Sequence, residues 1–291
     1  MPPPRKDSDL TISNSDNLSI HLSYSTPVVK MSAQQEKIRI LILNPNSSKS
    51  MTGGMEKSIS TLNLPDNIEI SYYTAPSDSP ASINDGTDVQ TSASIVLNDL
   101  GSHPQDLKDH LDAVLVCCFS VHPLVPRLSE LASSNDFPLS VTGIFEVSVL
   151  ASLPLLTGPT KKWGIVTTGK YWEDHLTLGV KDFLGQAEGN NEKFAGVQTT
   201  GLNAGDFHGD IPKEVIDAKL VEATKKLLQA GDVECVVMGC AGMAGLEQII
   251  RRTAIEEYGE ERGKKVMVVD GVRAGVGLLA EMVKNRRMFT Q

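Results

Sequence analysis

The chain has 291 residues, of which 40% are hydrophobic and 22% are charged, and its formal net charge at pH 7 is −9. This acidic balance argues against a nucleic-acid-binding surface, and no apolar run approaches the roughly 20 residues of a membrane-spanning helix. The length is enough for one large domain or two lobes with buried cores. We therefore expect a globular protein whose partner is a small molecule, with no nucleic acid and no membrane involved.

The segment from Met1 to Glu36 is rich in Ser, Pro and Asp and shows little apolar periodicity. It lacks the continuous apolar core of a secretory signal and the Arg-rich composition of a transit peptide. We predict a disordered tail over residues 1–36. The four cysteines have no zinc-type C-x2-C spacing, and a chain of this length needs no disulfide staples, so a cytoplasmic location is the default expectation.

From Lys37 onward, short β-branched runs alternate with helical patterns. The predicted strands are KIRILILN (37–44), NIEISYYTA (67–75), LDAVLVCCFS (111–120), FPLSVTGIF (137–145), KWGIVTTG (162–169), the run that opens VECVVMGCAGMAGL (233–246), and KKVMVVDG (264–271). Predicted helices separate them, apart from a Ser/Asp/Gly-rich loop (76–88) and a loop containing GLNAGDFHGD. This order is typical of βαβ units in a mainly parallel sheet, whose functional groups lie at the carboxyl ends of the strands.

Two of these stretches correspond to each other when Cys118 is aligned on Cys240. DAVLVCCFSVHPL and ECVVMGCAGMAGL both begin with an acidic residue, continue with aliphatic residues and reach a leucine six residues after the cysteine. Cys117 falls opposite Gly239, and adjacent side chains of a strand point to opposite faces, so the correspondence selects Cys118. It predicts two similar lobes, each presenting one cysteine at the end of a strand.

A cysteine at the carboxyl end of a strand, followed by a helix, lies near backbone N–H groups and the positive end of the helix dipole. We therefore expect the pKa of both thiols to lie below the usual value of about 8.5. Two opposed thiols can remove a proton from one face of a carbon and return one to the other face, which inverts the centre. The enolate oxygen needs hydrogen-bond donors, which the turns NPNSS (44–48), CFS, TTG (167–169) and CAGMAG offer.

Several polar residues also have structural interpretations. Ser47, Ser48, Thr167 and Thr168 equally fit helix N-caps. His122, four residues after Cys118, suggests a Cys/His hydrolase, but no orienting acid is identifiable, which favours a surface histidine at a helix start. Glu146 either caps a helix or lines the cleft.

The stretches ILILNPNSS, CCFSVHPL, GIFE, GIVTTG, GCAGMAGL and VVDGV together resemble the Asp/Glu/hydantoin racemase superfamily, and most closely its hydantoin and allantoin racemase branch with its fungal members. The resemblance covers about residues 37–287. It implies a cofactor-independent two-base racemase with two Rossmann-like α/β lobes, related by a pseudo-twofold, and an active site in the cleft between them. Residues 37–145 would form lobe 1, completed by residues 261–291, and residues 146–260 would form lobe 2.

By the same resemblance, Cys118 and Cys240 match the paired catalytic cysteines. The matching pocket positions are Asn46, Ser120, Thr167, Thr168 and the backbone of Ala241, Gly242 and Met243, and further candidates for the cleft are Ser47, Glu146 and His122. No metal ligands are expected. Because the superfamily often forms homo-oligomers, the resemblance also implies a homo-oligomer.

Local departures from the family bear on the substrate. Glutamate and aspartate racemases typically read CNT and CTH at the two cysteine motifs, where this chain reads CFS and CAG. A less polar pocket suits a neutral ring better than an amino-acid zwitterion. Both cysteines are present, unlike in arylmalonate-type decarboxylases, which favours racemisation.

The substrate predicted from these motifs is a 5-substituted hydantoin. The fungal-type resemblance suggests allantoin and purine-nitrogen catabolism. Many hydantoin racemases read CFGDPGL where this chain has CFSVHPL, and this departure leaves the exact substrate open. Three alternative functions also stay open: an amino-acid racemase, a maleate-isomerase-like enzyme and a non-catalytic ligand-binding protein.

Overall fold

The computed structural model describes residues 36–102, 104–186, 188–189 and 191–290. The predicted tail over residues 1–36 lies, apart from Glu36, outside the described residues.

The strands of the described residues form two parallel sheets. The first sheet contains Ile38–Asn44 (β1), Ile68–Thr74 (β2), Ala113–Val116 (β3) and Ser140–Gly143 (β4), and the second contains Lys162–Thr167 (β5), Phe194–Thr199 (β6), Val233–Met238 (β7) and Met267–Asp270 (β8). The strand orders are β2-β1-β3-β4 and β6-β5-β7-β8. The two sheets therefore have the same topology, with β5 to β8 in the places of β1 to β4. The predicted α/β fold with two similar parallel sheets is confirmed.

Helices connect the strands. They are Lys49–Ser60 (α1), Gly86–Gly101 (α2), Pro104–His110 (α3), Leu124–Ser134 (α4), Ile144–Ser152 (α5), Tyr171–Phe183 (α6), Lys213–Leu228 (α7), Glu247–Tyr258 (α8), Glu260–Gly263 (α9) and Gly271–Phe289 (α10), with single 3₁₀ turns at Leu153–Leu155, Ala204–His208 and Ala241–Met243. Side-chain caps fix several starts, since Ser48, Asp85 and Asp270 accept hydrogen bonds from the first N–H groups of α1, α2 and α10. Of the helices described, none has the length and apolarity that crossing a bilayer takes.

Two predicted strands end earlier than their apolar runs. β3 ends at Val116, before both neighbouring cysteines, and β4 ends at Gly143, so that Ile144 and Phe145 begin α5. A short apolar run does not distinguish a buried strand from a buried helix, because both bury every side chain in the run. The strand β6 was not predicted, because its sequence FAGVQT is only partly buried and contains Gly196 at a φ of 101°.

A continuous apolar core joins the two sheets. It contains Ile40 and Leu115 of the first sheet together with Trp163 and Val237 of the second, and none of these four side chains is exposed. The neighbouring strands at the centre of each sheet are therefore covered on both faces, as is usual for parallel sheets. This packing fixes the carboxyl ends of the central strands relative to each other.

The C-terminal segment contributes to both halves. Strand β8 pairs with β7, with Val268 opposite Val236, whereas α10 packs against β3, β4 and α5 of the first half. Gly275 permits this close approach, since a Cβ there would lie 2.5 Å from Cδ2 of Leu115. The expectation that residues 261–291 complete the first lobe therefore agrees with the position of α10 and disagrees with that of β8, and the division into lobes stays a prediction.

Candidate active site

Cys118 and Cys240 line one cavity at the carboxyl ends of the central strands. Cys118 follows the last residue of β3 by two positions, and Cys240 follows the last residue of β7 by two positions. Because β3 and β7 occupy the same place in their sheets, the two cysteines stand at equivalent points of the two halves. The edge of an open α/β sheet beyond the strand carboxyl ends is where such folds bind ligands.

The lining of this cavity is mostly apolar and has no charged side chain. It consists of Asn46, Met51, Ile83, Cys117, Cys118, Phe119, Thr168, Trp172, Ala204, Gly239, Cys240, Ala241 and Gly242. The enclosed volume is about 30 Å³. Since one water molecule occupies about 10–15 Å³ on this measure, the cavity holds about two waters, and both of its cysteines are partly exposed.

Cys118 has one hydrogen-bond donor at its sulfur. Ser120 donates its hydroxyl to Sγ of Cys118 at 3.4 Å. Burial raises the pKa of the Cys118 thiol to about 12; the hydrogen bond from Ser120 opposes this shift, and the charges of Cys240 and Glu146 add to it. The adjacent Cys117 lies in the core, where its thiol donates to the Leu115 carbonyl at 3.6 Å.

Cys240 is held by backbone donors instead. The N–H of Gly242 donates to Sγ of Cys240 at 3.3 Å. Burial raises the pKa of the Cys240 thiol to about 11, while the N–H groups of Gly242 and Met243 act in the opposite direction. A thiolate on Cys240 therefore meets two backbone donors, and one on Cys118 meets a single hydroxyl.

The predicted lowering of both thiol pKa values is wrong for this narrow cavity. Desolvation disfavours the thiolate more strongly than the neighbouring donors favour it. After Cys118, helix α4 begins only at Leu124, so its positive end is distant, and after Cys240 the chain forms a single 3₁₀ turn. The helix dipole acts mainly within the first turn of a helix, and neither cysteine lies at the first turn of a long helix.

Two of the predicted polar residues face the cavity. Asn46 accepts hydrogen bonds at Oδ1 from Asn44 Nδ2 at 3.0 Å and from the Ser48 N–H at 2.9 Å. These two bonds fix the orientation of the Asn46 amide, whose Nδ2 faces away from them as a donor. Nδ2 lies 3.2 Å from Sδ of Met51, which is a weak acceptor. The hydroxyl of Thr168 also lines the cavity, and no hydrogen bond engages it within the described residues. Both groups are free to bind a ligand.

Other predicted residues lie beside the cavity rather than on its wall. Ser47 donates its hydroxyl to the Ser79 carbonyl at 2.9 Å, and Thr167 donates to the Gly239 carbonyl. The Thr167 bond holds the turn that carries Cys240. Met243 is fully buried in the core of the second half, so its side chain does not reach the cavity.

His122 is buried, which corrects the prediction of a surface histidine. Its side chain is 1% exposed, with Nε2 at 3.2 Å from Ser92 Oγ and Nδ1 accepting from the Leu124 N–H at 3.3 Å. Burial lowers the pKa of His122 to about 3, so the ring is neutral. Both ring nitrogens are engaged away from Cys118, and nothing in this arrangement fits a Cys/His hydrolase.

Glu146 lies in the first turn of α5 and is not part of the cavity wall. Its Oε2 is buried, and within the described residues it has no hydrogen-bond partner. Burial raises the pKa of Glu146 to about 7, while the N–H groups of Glu146 and Gly143 oppose the shift.

Sequence reasoning missed the apolar part of the wall. Ile83, Trp172 and Ala204 come from a polar loop, an amphipathic helix and a 3₁₀ turn, three segments without a strand-end signal. Of these three residues, only Ile83 stands out in the sequence, because it is a lone large apolar residue in the Ser/Asp/Gly-rich loop. The backbone N–H groups of Phe119 and Ala241, each next to a cavity cysteine, donate no hydrogen bond to any described residue.

Comparison with known proteins gave concordant matches. The model of the family described as Asp/Glu/Hydantoin racemase matches residues 40–279. An uncharacterized protein of Schizosaccharomyces pombe is 32% identical over 87% of this chain and 94% of its own length, and a hydantoin racemase of a Pseudomonas species is 26% identical over 82% and 83%. Among solved structures, the allantoin racemase from Klebsiella pneumoniae superposes with a TM-score of 0.66 at 22% identity, covering 85% of this chain and 88% of its own.

Proposed function

The chain belongs to the Asp/Glu/hydantoin racemase family, and we propose that it racemises a 5-substituted hydantoin, specifically allantoin, through Cys118 and Cys240. One observation carries this proposal: two thiols from equivalent points of the two halves share a cavity without charged side chains. The names of two similar proteins, a hydantoin racemase and an allantoin racemase, support the substrate class.

The uncharged wall favours a neutral ring over a free amino acid. An amino-acid zwitterion entering this cavity would lose the hydration of an ammonium and a carboxylate group without gaining an ionic partner. Burial of unpaired charges is strongly unfavourable. A hydantoin ring carries amide N–H and C=O groups and no formal charge, so the amide of Asn46 and the hydroxyl of Thr168 are suitable partners.

In the proposed reaction, one sulfur acts as a base and the other as an acid. A thiolate removes the proton from the ring carbon beside the carbonyl, and the electron pair of the broken C–H bond forms an enolate. The opposite thiol then donates its proton to the other face of that carbon. The centre is inverted, the first sulfur holds a proton and the second sulfur is the thiolate.

The enolate oxygen requires donors that are not already engaged. The sequence pointed to the N–H groups of Ala241, Gly242 and Met243, but those of Gly242 and Met243 bond to Sγ and to the carbonyl oxygen of Cys240. We assign this role to the side chains of Asn46 and Thr168 and to the free N–H groups next to each cysteine. Fixed donors in a water-poor cavity stabilise a developing negative charge more than water does.

The test follows the optical activity of one enantiomer. Circular dichroism of (S)- or (R)-allantoin should decay to zero with enzyme faster than without it, and in D₂O the recovered allantoin should gain one deuterium at the ring carbon. C118S and C240S should each lose this activity, whereas C235S, which changes a buried cysteine outside the cavity, should retain it.

Unchanged decay in the doubly substituted C118S/C240S protein would contradict the two-thiol mechanism. Deuterium exchange into aspartate or glutamate, with none into hydantoins, would identify an amino-acid racemase instead. A substrate–cysteine adduct detected by mass spectrometry would favour addition to an alkene, as a cis–trans isomerase requires. Binding without any exchange would identify a non-catalytic ligand-binding protein.

A further inference from the structure

Glu146 is a buried carboxyl group beside Cys118 that the proton transfer described above does not use. The strands that precede the two residues are neighbours, with Val116 of β3 opposite Gly143 of β4. Phe119 packs edge-on against Phe145, with ring centroids 5.7 Å apart. The residue after Cys118 thus contacts the residue before Glu146, which brings the thiol and the carboxyl group to the same edge of the sheet.

One oxygen of this carboxyl group has no compensating partner. Its Oε2 is buried, and across the described part of the chain it has neither a hydrogen bond nor an ion pair with a basic side chain. A Cβ on Gly143 would lie 2.4 Å from Oε2, so only glycine leaves room for the carboxyl group in this position. A buried acceptor without a partner destabilises the fold, and such groups cluster where a charge has a function.

The position in the second half that corresponds to Glu146 holds a basic residue instead of an acid. Gly143 is the last residue of β4, and Asp270 is the last residue of β8, so the position that corresponds to Glu146 is Arg273 in α10. No acidic side chain contributes to the pKa of Cys240, whereas Glu146 contributes to that of Cys118. The two cysteines are equivalent in topology but differ in charge environment.

We propose that Glu146 is a positioning residue that keeps the proton on Cys118, so that the thiolate of the active form is that of Cys240. An ionised carboxyl group repels a second negative charge at Cys118, while the N–H of Gly242 stabilises one at Cys240. The catalytic meaning of this bias rests on the proposed function. With this bias, Cys240 is the base that starts the cycle in the empty enzyme. The substrate enantiomer whose C–H faces Cys240 therefore reacts first.

The bias depends on pH with a defined sign. Below its pKa of about 7, Glu146 is neutral and exerts no repulsion; above that value it is ionised and raises the pKa of Cys118. The groups that face the carboxyl group are the Cys118 thiol and the N–H groups of Gly143 and Glu146 itself. The repulsion should therefore appear between about pH 6 and pH 8.

The test measures thiolate formation directly and needs no substrate. The full-length protein is alkylated briefly with iodoacetamide at pH 6.0 and pH 8.5, and peptide fragmentation gives the rates at Cys118 and Cys240 separately. Both thiols share one cavity, so the ratio of the two rates cancels differences in reagent access. In the wild-type protein Cys240 should react faster than Cys118 at pH 8.5.

Two variants of the same position separate charge from shape. E146Q should raise the Cys118-to-Cys240 ratio at pH 8.5 by on the order of three- to tenfold and should leave it nearly unchanged at pH 6.0. E146D keeps the charge and should behave like the wild-type protein. An E146Q ratio equal to that of the wild type at pH 8.5, or an increase of equal size at both pH values, would overturn the proposal.

A wild-type measurement keeps the proposal testable if E146Q does not fold. The Cys118 rate should rise less than tenfold per pH unit between pH 6 and pH 8, because ionising Glu146 opposes thiolate formation, whereas the Cys240 rate should not show this flattening. Parallel slopes for both cysteines would overturn the proposal. Failure of racemisation with an intact alkylation pattern would reject the proposed function and leave the assignment of Glu146 standing.

Discussion

The thiols of Cys118 and Cys240 are almost entirely protonated at neutral pH in the narrow cavity, because burial raises their pKa values to about 12 and about 11. The proposed reaction needs one thiolate and one thiol, and the fraction with one thiolate grows with pH below these values. We expect kcat/KM to rise about five- to tenfold per pH unit from pH 6 to pH 8. Circular dichroism at each pH, corrected for spontaneous racemisation, measures this; a flat profile would contradict a thiolate base.

Asn46 and Thr168 offer a second prediction at the scale of single residues. Each presents a donor to the cavity, one from each half, and the Asn46 amide meets only the weak acceptor Sδ of Met51 there. N46A and T168A should each lower kcat/KM by about 10- to 1,000-fold, the range for loss of one oxyanion donor. N46A should also lower the thermal stability, because it removes the acceptor of Asn44 Nδ2 and of the Ser48 N–H. S47A is the matched control, since Ser47 sits in the same turn as Asn46 but bonds to the Ser79 carbonyl. Equal losses in S47A and N46A would point to the turn rather than the amide.

At the scale of the element, α10 ties the last part of the chain to the first sheet. A Cβ on Gly275 would lie 2.5 Å from Leu115 Cδ2, whereas a Cβ on Gly277 would meet nothing within 4 Å. We expect G275A to lower the free energy of unfolding by about 1–3 kcal/mol through overpacking. G277A should raise it by about 0.5–1 kcal/mol, because alanine favours a helix over glycine. Urea denaturation measures the free energy of unfolding of both variants. Destabilisation of similar size in both would show that the loss of backbone flexibility, and not the contact with Leu115, causes the effect of G275A.

The elements also show what the sequence allowed us to predict. The strands β1, β3, β5 and β7 are mostly buried runs rich in β-branched and aliphatic residues, and this local composition favours a strand. The ends of β3 and β4 depend on where the backbone turns into the next helix, which Ile144 and Phe145 do not reveal. Ile83 and Trp172 reach the cavity only because distant segments pack together, so although Ile83 stands out as a lone apolar residue in a polar loop, no local pattern shows that either residue lines the cavity. The thiol pKa values were misjudged for the same reason, since burial is a tertiary property.

At the scale of the whole molecule, the cavity must open before a substrate can bind. Its volume of about 30 Å³ is far below the roughly 300–1,000 Å³ of small-molecule sites. Two segments that both contribute to its wall are bonded to each other: Ser82 Oγ accepts from the Gly205 N–H at 3.0 Å, and Asn84 Oδ1 accepts from the Ala204 N–H at 3.4 Å. The loop after β2 in the first half and the 3₁₀ turn after β6 in the second half thus hold two parts of the cavity wall together.

This contact predicts that one hydroxyl group limits access to both thiols. S82A removes the acceptor of the Gly205 N–H, and a net hydrogen bond is worth about 0.5–1.5 kcal/mol, so the open population should increase by about two- to tenfold. Alkylation of Cys118 and Cys240 in the empty enzyme should accelerate by that factor at both sites, with their ratio unchanged. The control is S94A, because Ser94 is exposed and bonds only within α2. If S82A and S94A alkylate at the same rate, opening does not break the contact between these two segments, and the two halves separate elsewhere.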